Sequence, residues 1–208
     1  ITRPENGEEE PYQSWLDLSG RAPGGEGRYG LSILNDGKYS ASVEEGEIGL
    51  TVLRSPIYAH HDPYVPAPDR DYSFIDQGMQ RFRYVLLPHA GGWAEGGAVR
   101  RAAELNQPAI AMIETYHDGP LAQTVSHMEV EGDNVVVGAL KRAEDDDDLI
   151  VRCYETAGMA GAATLRLSAW NRVITARFSP YEIKTLRVPR DEGRPVAETD
   201  LIEWYVET

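Results

Sequence analysis

An all-β fold carrying one short helix is what the sequence predicts, and three observations predict it. Apolar runs are short, of strand rather than helix length, and several alternate with polar residues. Nearly every run is bounded by Gly, Asp, Asn or Pro, the residues that turn a chain. Only one stretch, 98–106, places apolar residues at helical spacing without a glycine.

The elements follow in chain order. Residues 29–34 are apolar enough for a buried strand and end at Asn35-Asp36-Gly37, where Asp-Gly supplies positive φ cheaply, so a hairpin is expected with 38–43 as its second arm. A second turn at Glu44-Glu45-Gly46 leads into 48–54, which completes an expected antiparallel meander. Residues 56–76 hold four prolines and no sustained periodicity, and predict a long irregular loop. It contains His60-His61-Asp62, three possible metal ligands; neighbours on an extended chain point to opposite sides, which favours a solvated loop. Residues 79–87 predict a strand with Phe82, Tyr84 and Leu86 on one face, ended by Pro88. A short peripheral helix over 98–106 carries Val99, Ala102, Ala103 and Leu105 and stops before Pro108. Candidate strands then recur at 110–115, 125–130, 135–140, 149–155, 163–170, 173–178, 182–188 and 200–206, the spacing of a β-sandwich.

The 34 acidic against 20 basic residues, a net charge of -14, argue against a nucleic-acid partner, since phosphate binding depends on clustered Lys and Arg. No apolar run approaches the roughly 20 residues of a membrane span, and no targeting segment precedes the first strand; the chain reads as a fragment or a processed product. Its single cysteine, Cys153, lies among apolar residues and reads as a buried structural thiol, which favours a reducing, cytoplasmic setting. The acidic runs 8–10 and 145–148 lack the spacing of a calcium loop and read as solvated loops. No nucleophile elbow, metal-binding helix pair or phosphate loop is present, and carboxylate pairs cannot be matched from spacing alone.

Longer motifs carry a family resemblance. Gly30-Leu31-Ser32-Ile33-Leu34-Asn35-Asp36-Gly37-Lys38-Tyr39 resembles a signature of bacterial and cytosolic-type α-mannosidases of glycoside hydrolase family 38. Further stretches match in the right order along the chain: Arg3 through Glu9 with Gln13 through Ser19 before it, then Leu50-Thr51-Val52-Leu53-Arg54-Ser55-Pro56, Asp76-Gln77-Gly78 with Phe82-Arg83-Tyr84, and Pro88-His89-Ala90-Gly91 after it. Segments 134–155, 180–186 and 198–201 resemble the terminal sandwich of the same family. Ser40 stands where glycine is usual, Gln80 where histidine is common, and the 59–70 region is lengthened.

The resemblance implies a galactose-mutarotase-like β-supersandwich portion over 1–120 and a smaller C-terminal β-sandwich over 121–208. It also implies a retaining, zinc-dependent α-mannosidase as parent. The zinc ligands and nucleophile would lie in an N-terminal catalytic barrel that this sequence does not match, so no catalytic or metal residue is expected here and the chain alone should be inactive. The expected partners are that barrel and a mannoside substrate, with weak self-association through the face the barrel would cover. By motif position Arg54 is the first substrate-binding candidate, against a strand-end arginine paired with an acid; Asn35 and Asp36 follow, against ordinary turn chemistry. His89 reads as a satisfied histidine bonding backbone, and Trp15, Trp93, Trp170 and Trp204 as core rather than sugar platforms. The alternative to an enzyme's accessory region is a stand-alone carbohydrate-binding or protein-interaction sandwich.

Overall fold

The computed structural model describes residues 5–57, 65–120 and 122–204, so His60, His61 and Asp62 lie outside the described residues. The chain divides into two compact units, Ile1–Ile110 and Ala111–Thr208.

The first unit holds β1 (Glu10–Pro11), β2 (Trp15–Arg21), β3 (Arg28–Asn35), β4 (Ser40–Glu44), β5 (Glu47–Leu50), β6 (Tyr84–Ala90) and α1 (Ala98–Asn106). They form two three-stranded antiparallel sheets, β1-β4-β5 and β2-β3-β6. Strand β3 is central, with Ser32 opposite Asp17 on one side and Leu87 on the other. Helix α1 has the predicted bounds, and it is less peripheral than expected because Ala98 and Ala102 are buried.

Several expectations are corrected here. Asn35-Asp36-Gly37 does not close a hairpin: both edges of β3 are taken by β2 and β6, and β4 belongs to the other sheet. Gly37 does not adopt positive φ; the Asn35 side chain turns the chain instead, its Oδ1 accepting from the Gly37 and Lys38 amides at 3.0 and 2.9 Å. The meander therefore reduces to the β4–β5 hairpin, whose two-residue turn Glu45-Gly46 has φ of 49° and 81°, the pair of positive values that suits strand twist. Residues 51–54 lie beyond its end. Pro88 does not end its strand: β6 runs through it, paired with Leu31, because β6 is a sheet edge where a missing donor is tolerated.

The second unit is a β-sandwich. Its strands are β7 (Glu129–Glu131), β8 (Val135–Arg142), β9 (Leu149–Glu155), β10 (Gly161–Leu167), β11 (Arg172–Phe178), β12 (Ile183–Val188) and β13 (Ala197–Thr199). Sheets β11-β10-β7 and β13-β12-β9-β8 share one apolar core: Val151 and Cys153 from β9, Ala163, Leu165 and Leu167 from β10, Phe178 from β11, Leu186 and Val188 from β12. Cys153 is wholly buried, as read from the sequence, and burial pushes its thiol up to about 11.

Three further sequence expectations are corrected from residue 110 onward, the first two for want of a partner strand and the third because an arginine draws acids inward. Residues 110–115 make no ladder, and Ile110, Met112 and Ile113 are almost fully exposed. The last strand is 197–199 rather than 200–206; residues 201–203 turn, with the Trp204 amide bonding Asp200 Oδ1 at 2.8 Å, and 205–206 lie outside the described residues. The 145–148 run is not wholly solvated: Arg187, buried in β12, draws in Asp146 (2.6 Å) and Asp148 (3.1 Å), so that Asp148 is buried too.

Candidate functional site

The tip beyond β3 gathers two of the three sequence-predicted candidates. Asn35 ends β3 and is fully buried. Its Nδ2 donates to the Gln13 carbonyl at 2.5 Å while its Oδ1 takes the two amides ahead of it, so its amide group serves the fold. Asp36, one residue on, is anchored by Arg83: the Arg83 amide donates to Oδ1 at 2.9 Å, and Nε and Nη2 each reach Oδ2 at 3.1 Å. The Asp36 side chain stays 26% exposed, which leaves the carboxylate reachable from outside. Lys38 completes the tip, its Nζ 3.3 Å from Gln80 Oε1 and 5.6 Å from the Phe82 ring centroid. Beneath it the Tyr12 and Tyr84 hydroxyls are buried, and that burial pushes both phenols up.

Arg54 stands apart from this group. It is exposed, past the end of β5, and its charge acts on Glu9. Hydrogen bonds from Thr51 and Ser40, opposed by burial and helped by Arg54, hold the Glu9 carboxyl below its ordinary value.

A second cluster escaped sequence reasoning. Asp17 (β2) stands opposite Ser32 (β3), and His89 (β6), which pairs with Gly30, lies diagonally across from Ser32. Ser32 Oγ donates to Asp17 Oδ1 at 2.7 Å, and His89 Nε2 lies 2.7 Å from the same oxygen and 3.0 Å from Ser32 Oγ. The carboxylate can only accept, so Nε2 carries a proton. His89 thus bonds side chains more closely than backbone, with Nδ1 3.3 Å from the Ala90 carbonyl. Two glycines make room for the ring: a Cβ on Gly30 would stand 2.6 Å from His89 Cε1, and one on Gly96 2.5 Å from Cγ.

Ser, His and Asp together invite comparison with a hydrolytic triad, and the geometry rejects it. A triad histidine faces its serine with one ring nitrogen and its carboxylate with the other, whereas here both contacts fall on Nε2. Asp17 and His89 side chains are only 5% and 6% exposed and Ser32 is fully buried, so no substrate reaches them. The cluster locks three strands together. Its signal in the sequence is polar Asp17 and Ser32 each set between apolar neighbours, Leu16 and Leu18 in β2 and Leu31 and Ile33 in β3.

The tryptophans divide. Trp15 and Trp93 pack with ring centroids 5.2 Å apart, Trp170 packs on the sandwich core, and Trp204 is exposed, contrary to a core reading. In the second unit an open hollow of about 210 Å³ is lined by Glu129, Arg166, Ser168 and Arg172 among others. Much of its polar lining is already engaged: Arg166 with Glu131 at 2.7 Å, Ser168 with the Ser126 carbonyl, and Arg172 with carbonyls at 189, 191, 192 and 194. Among the described residues no three His, Cys, Asp or Glu side chains converge as metal ligands, so the zinc implied by family resemblance has no fitting donor set there.

Comparison with known proteins agrees with the motifs. Residues 1–70 match the family model described as the glycosyl hydrolases family 38 C-terminal domain, and residues 134–174 match the family 38 C-terminal beta sandwich domain. The chain is 34% identical to mouse alpha-mannosidase 2C1 over 198 residues, covering 83% of this chain and 17% of the mouse protein. It is 28% identical to Dictyostelium discoideum alpha-mannosidase G over 204 residues, covering 83% of this chain and 16% of that one. Among solved structures, an alpha-mannosidase from Enterococcus faecalis V583 superposes with a TM-score of 0.69 at 21% identity, over 91% of this chain and 23% of that one, a likeness of fold. The chain thus spans a small part of the length of the relatives it matches.

Proposed function

The chain belongs to glycoside hydrolase family 38, as part of its C-terminal region, and from that premise we propose that it is the accessory β region of a retaining α-mannosidase. One observation carries this reading: two C-terminal models of the same family match in order, one in each structural unit. Hydrolysis belongs to a zinc-dependent N-terminal catalytic barrel outside this sequence, and the chain alone is inactive. A mutarotase-like portion over 1–120 and a smaller sandwich over 121–208 scaffold that barrel. Arg54, Asn35 and Asp36 are the substrate-binding candidates: the exposed Arg54 and partly exposed Asp36 can reach a sugar, while Asn35 shapes the tip. A lone buried thiol suits a reducing cytoplasm, and no described helix is long and apolar enough to cross a membrane.

Deletion tests the proposal. Full-length protein carrying residues 1–208 should cleave an aryl α-mannoside, and both the protein lacking them and the isolated chain should not. Full activity after deletion would instead favour a free-standing carbohydrate-binding or interaction module.

A further inference from the structure

The bend over 35–38 is held more firmly than a passage between two sheets requires. Asn35 clamps Gln13 and the two amides ahead of it, Asp36 takes three contacts from Arg83, and Lys38 rests on Gln80 and Phe82. The Asn35 carbonyl is also held: Asn106 Nδ2 donates to it at 2.9 Å and to the Ala102 carbonyl at 2.9 Å, one hydrogen for each. Asn106 is the last residue of α1. Ala98 and Ala102, both buried, allow the helix to sit close enough for that reach. Fixing several side chains costs rotamer entropy that a mere connector has no reason to spend, whereas a site that binds a polar ligand needs its groups pre-organised.

We propose that Asn106 is a positioning residue for sugar recognition: α1 braces the bend so that Asp36, oriented by Arg83, presents its carboxylate to hydroxyls of the bound mannoside. A carboxylate has about four acceptor sites; Arg83 supplies three donors, and the partial exposure of Asp36 leaves an edge open to a hydroxyl. The inference rests on the α-mannosidase reading above.

Steady-state kinetics on an aryl α-mannoside, with melting temperatures, test it in the full-length protein carrying these residues. Asn106→Ala and Arg83→Ala should each raise KM roughly tenfold with kcat within roughly twofold, at an unchanged melting temperature, the mark of lost uniform binding. Asn106→Ser, which keeps a donor, should recover part of the loss. Arg100→Ala, exposed on the same helix, should match wild type. Active wild type with unchanged KM in Asn106→Ala overturns this inference alone, and so does an Asn106→Ala that only melts earlier. Should Asn106→Ala not fold, Arg83→Ala decides, since that side chain is 60% exposed. A wild type inactive on the mannoside overturns the underlying reading and this one together.

Discussion

Removing the His89 imidazole leaves Asp17 buried with a hydroxyl as its remaining side-chain donor, and losing a buried hydrogen bond of this kind costs about 1–3 kcal/mol. Chemical denaturation of His89→Ala should show that loss, and a change within 0.5 kcal/mol, roughly that of a surface substitution, would refute the lock. Glu155 in the second unit is a comparable single point. Burial opposes its charge, but the amides of Tyr181, Ala157 and Gly158 and the Asn134 side chain overcome that and hold its carboxyl below the ordinary 4.5. A group with a depressed folded pKa stabilises fully above its unfolded value and loses that contribution as pH falls through the folded one. Glu155→Gln should therefore cost about 1–3 kcal/mol at neutral pH, and melting curves of mutant and wild type should converge as the pH drops below 4.5. Polar Asp17 and Ser32 within strands hint at the first site, but their partner His89 is 72 residues from Asp17 in the chain, and nothing local marks Glu155 as the anchor of three amides.

At the scale of elements, what local chemistry decides was legible and what partner choice decides was not. Helix α1 could be read because residues 98–106 lack glycine and Pro108 follows, and β9 because Leu149, Ile150, Val151, Cys153 and Tyr154 make it mostly apolar at strand length. The missed hairpin shows the limit: Asn35-Asp36-Gly37 marks a turn correctly, yet which edges of β3 are free depends on β2 and β6, one of them some fifty residues away. Residues 110–115 show it again, for they have strand composition without a strand to pair with. Because Ile113 is exposed, Ile113→Glu should alter stability by no more than about 0.5 kcal/mol. Gly96→Ala should behave differently, since its Cβ would stand 2.5 Å from the His89 ring; overpacking of that kind costs about 1–3 kcal/mol. Thermal melts of the two variants side by side separate the cases. Of the candidate site, Asp36 was legible as a projecting turn residue; its dependence on Arg83 and the brace from Asn106 required the fold.

For the molecule as a whole, both units leave apolar surface uncovered. The sandwich has a core drawn from both of its sheets, yet large apolar side chains stay exposed in both units, Tyr29, Met79 and Leu86 in the first and Ile113, Val173 and Trp204 in the second, as in a scaffold that leans on a larger body. The isolated chain should accordingly self-associate weakly, and sedimentation showing a strict monomer from micromolar to millimolar concentration would argue otherwise. The central claim, a scaffold that completes an α-mannosidase, is tested most directly by complementation: this chain is mixed with the separately expressed N-terminal portion of its parent protein and zinc, and an aryl α-mannoside is assayed. Hydrolysis by the mixture and by neither half is the predicted result; a stable complex with a folded, zinc-loaded barrel that still cleaves no α-mannoside would contradict it.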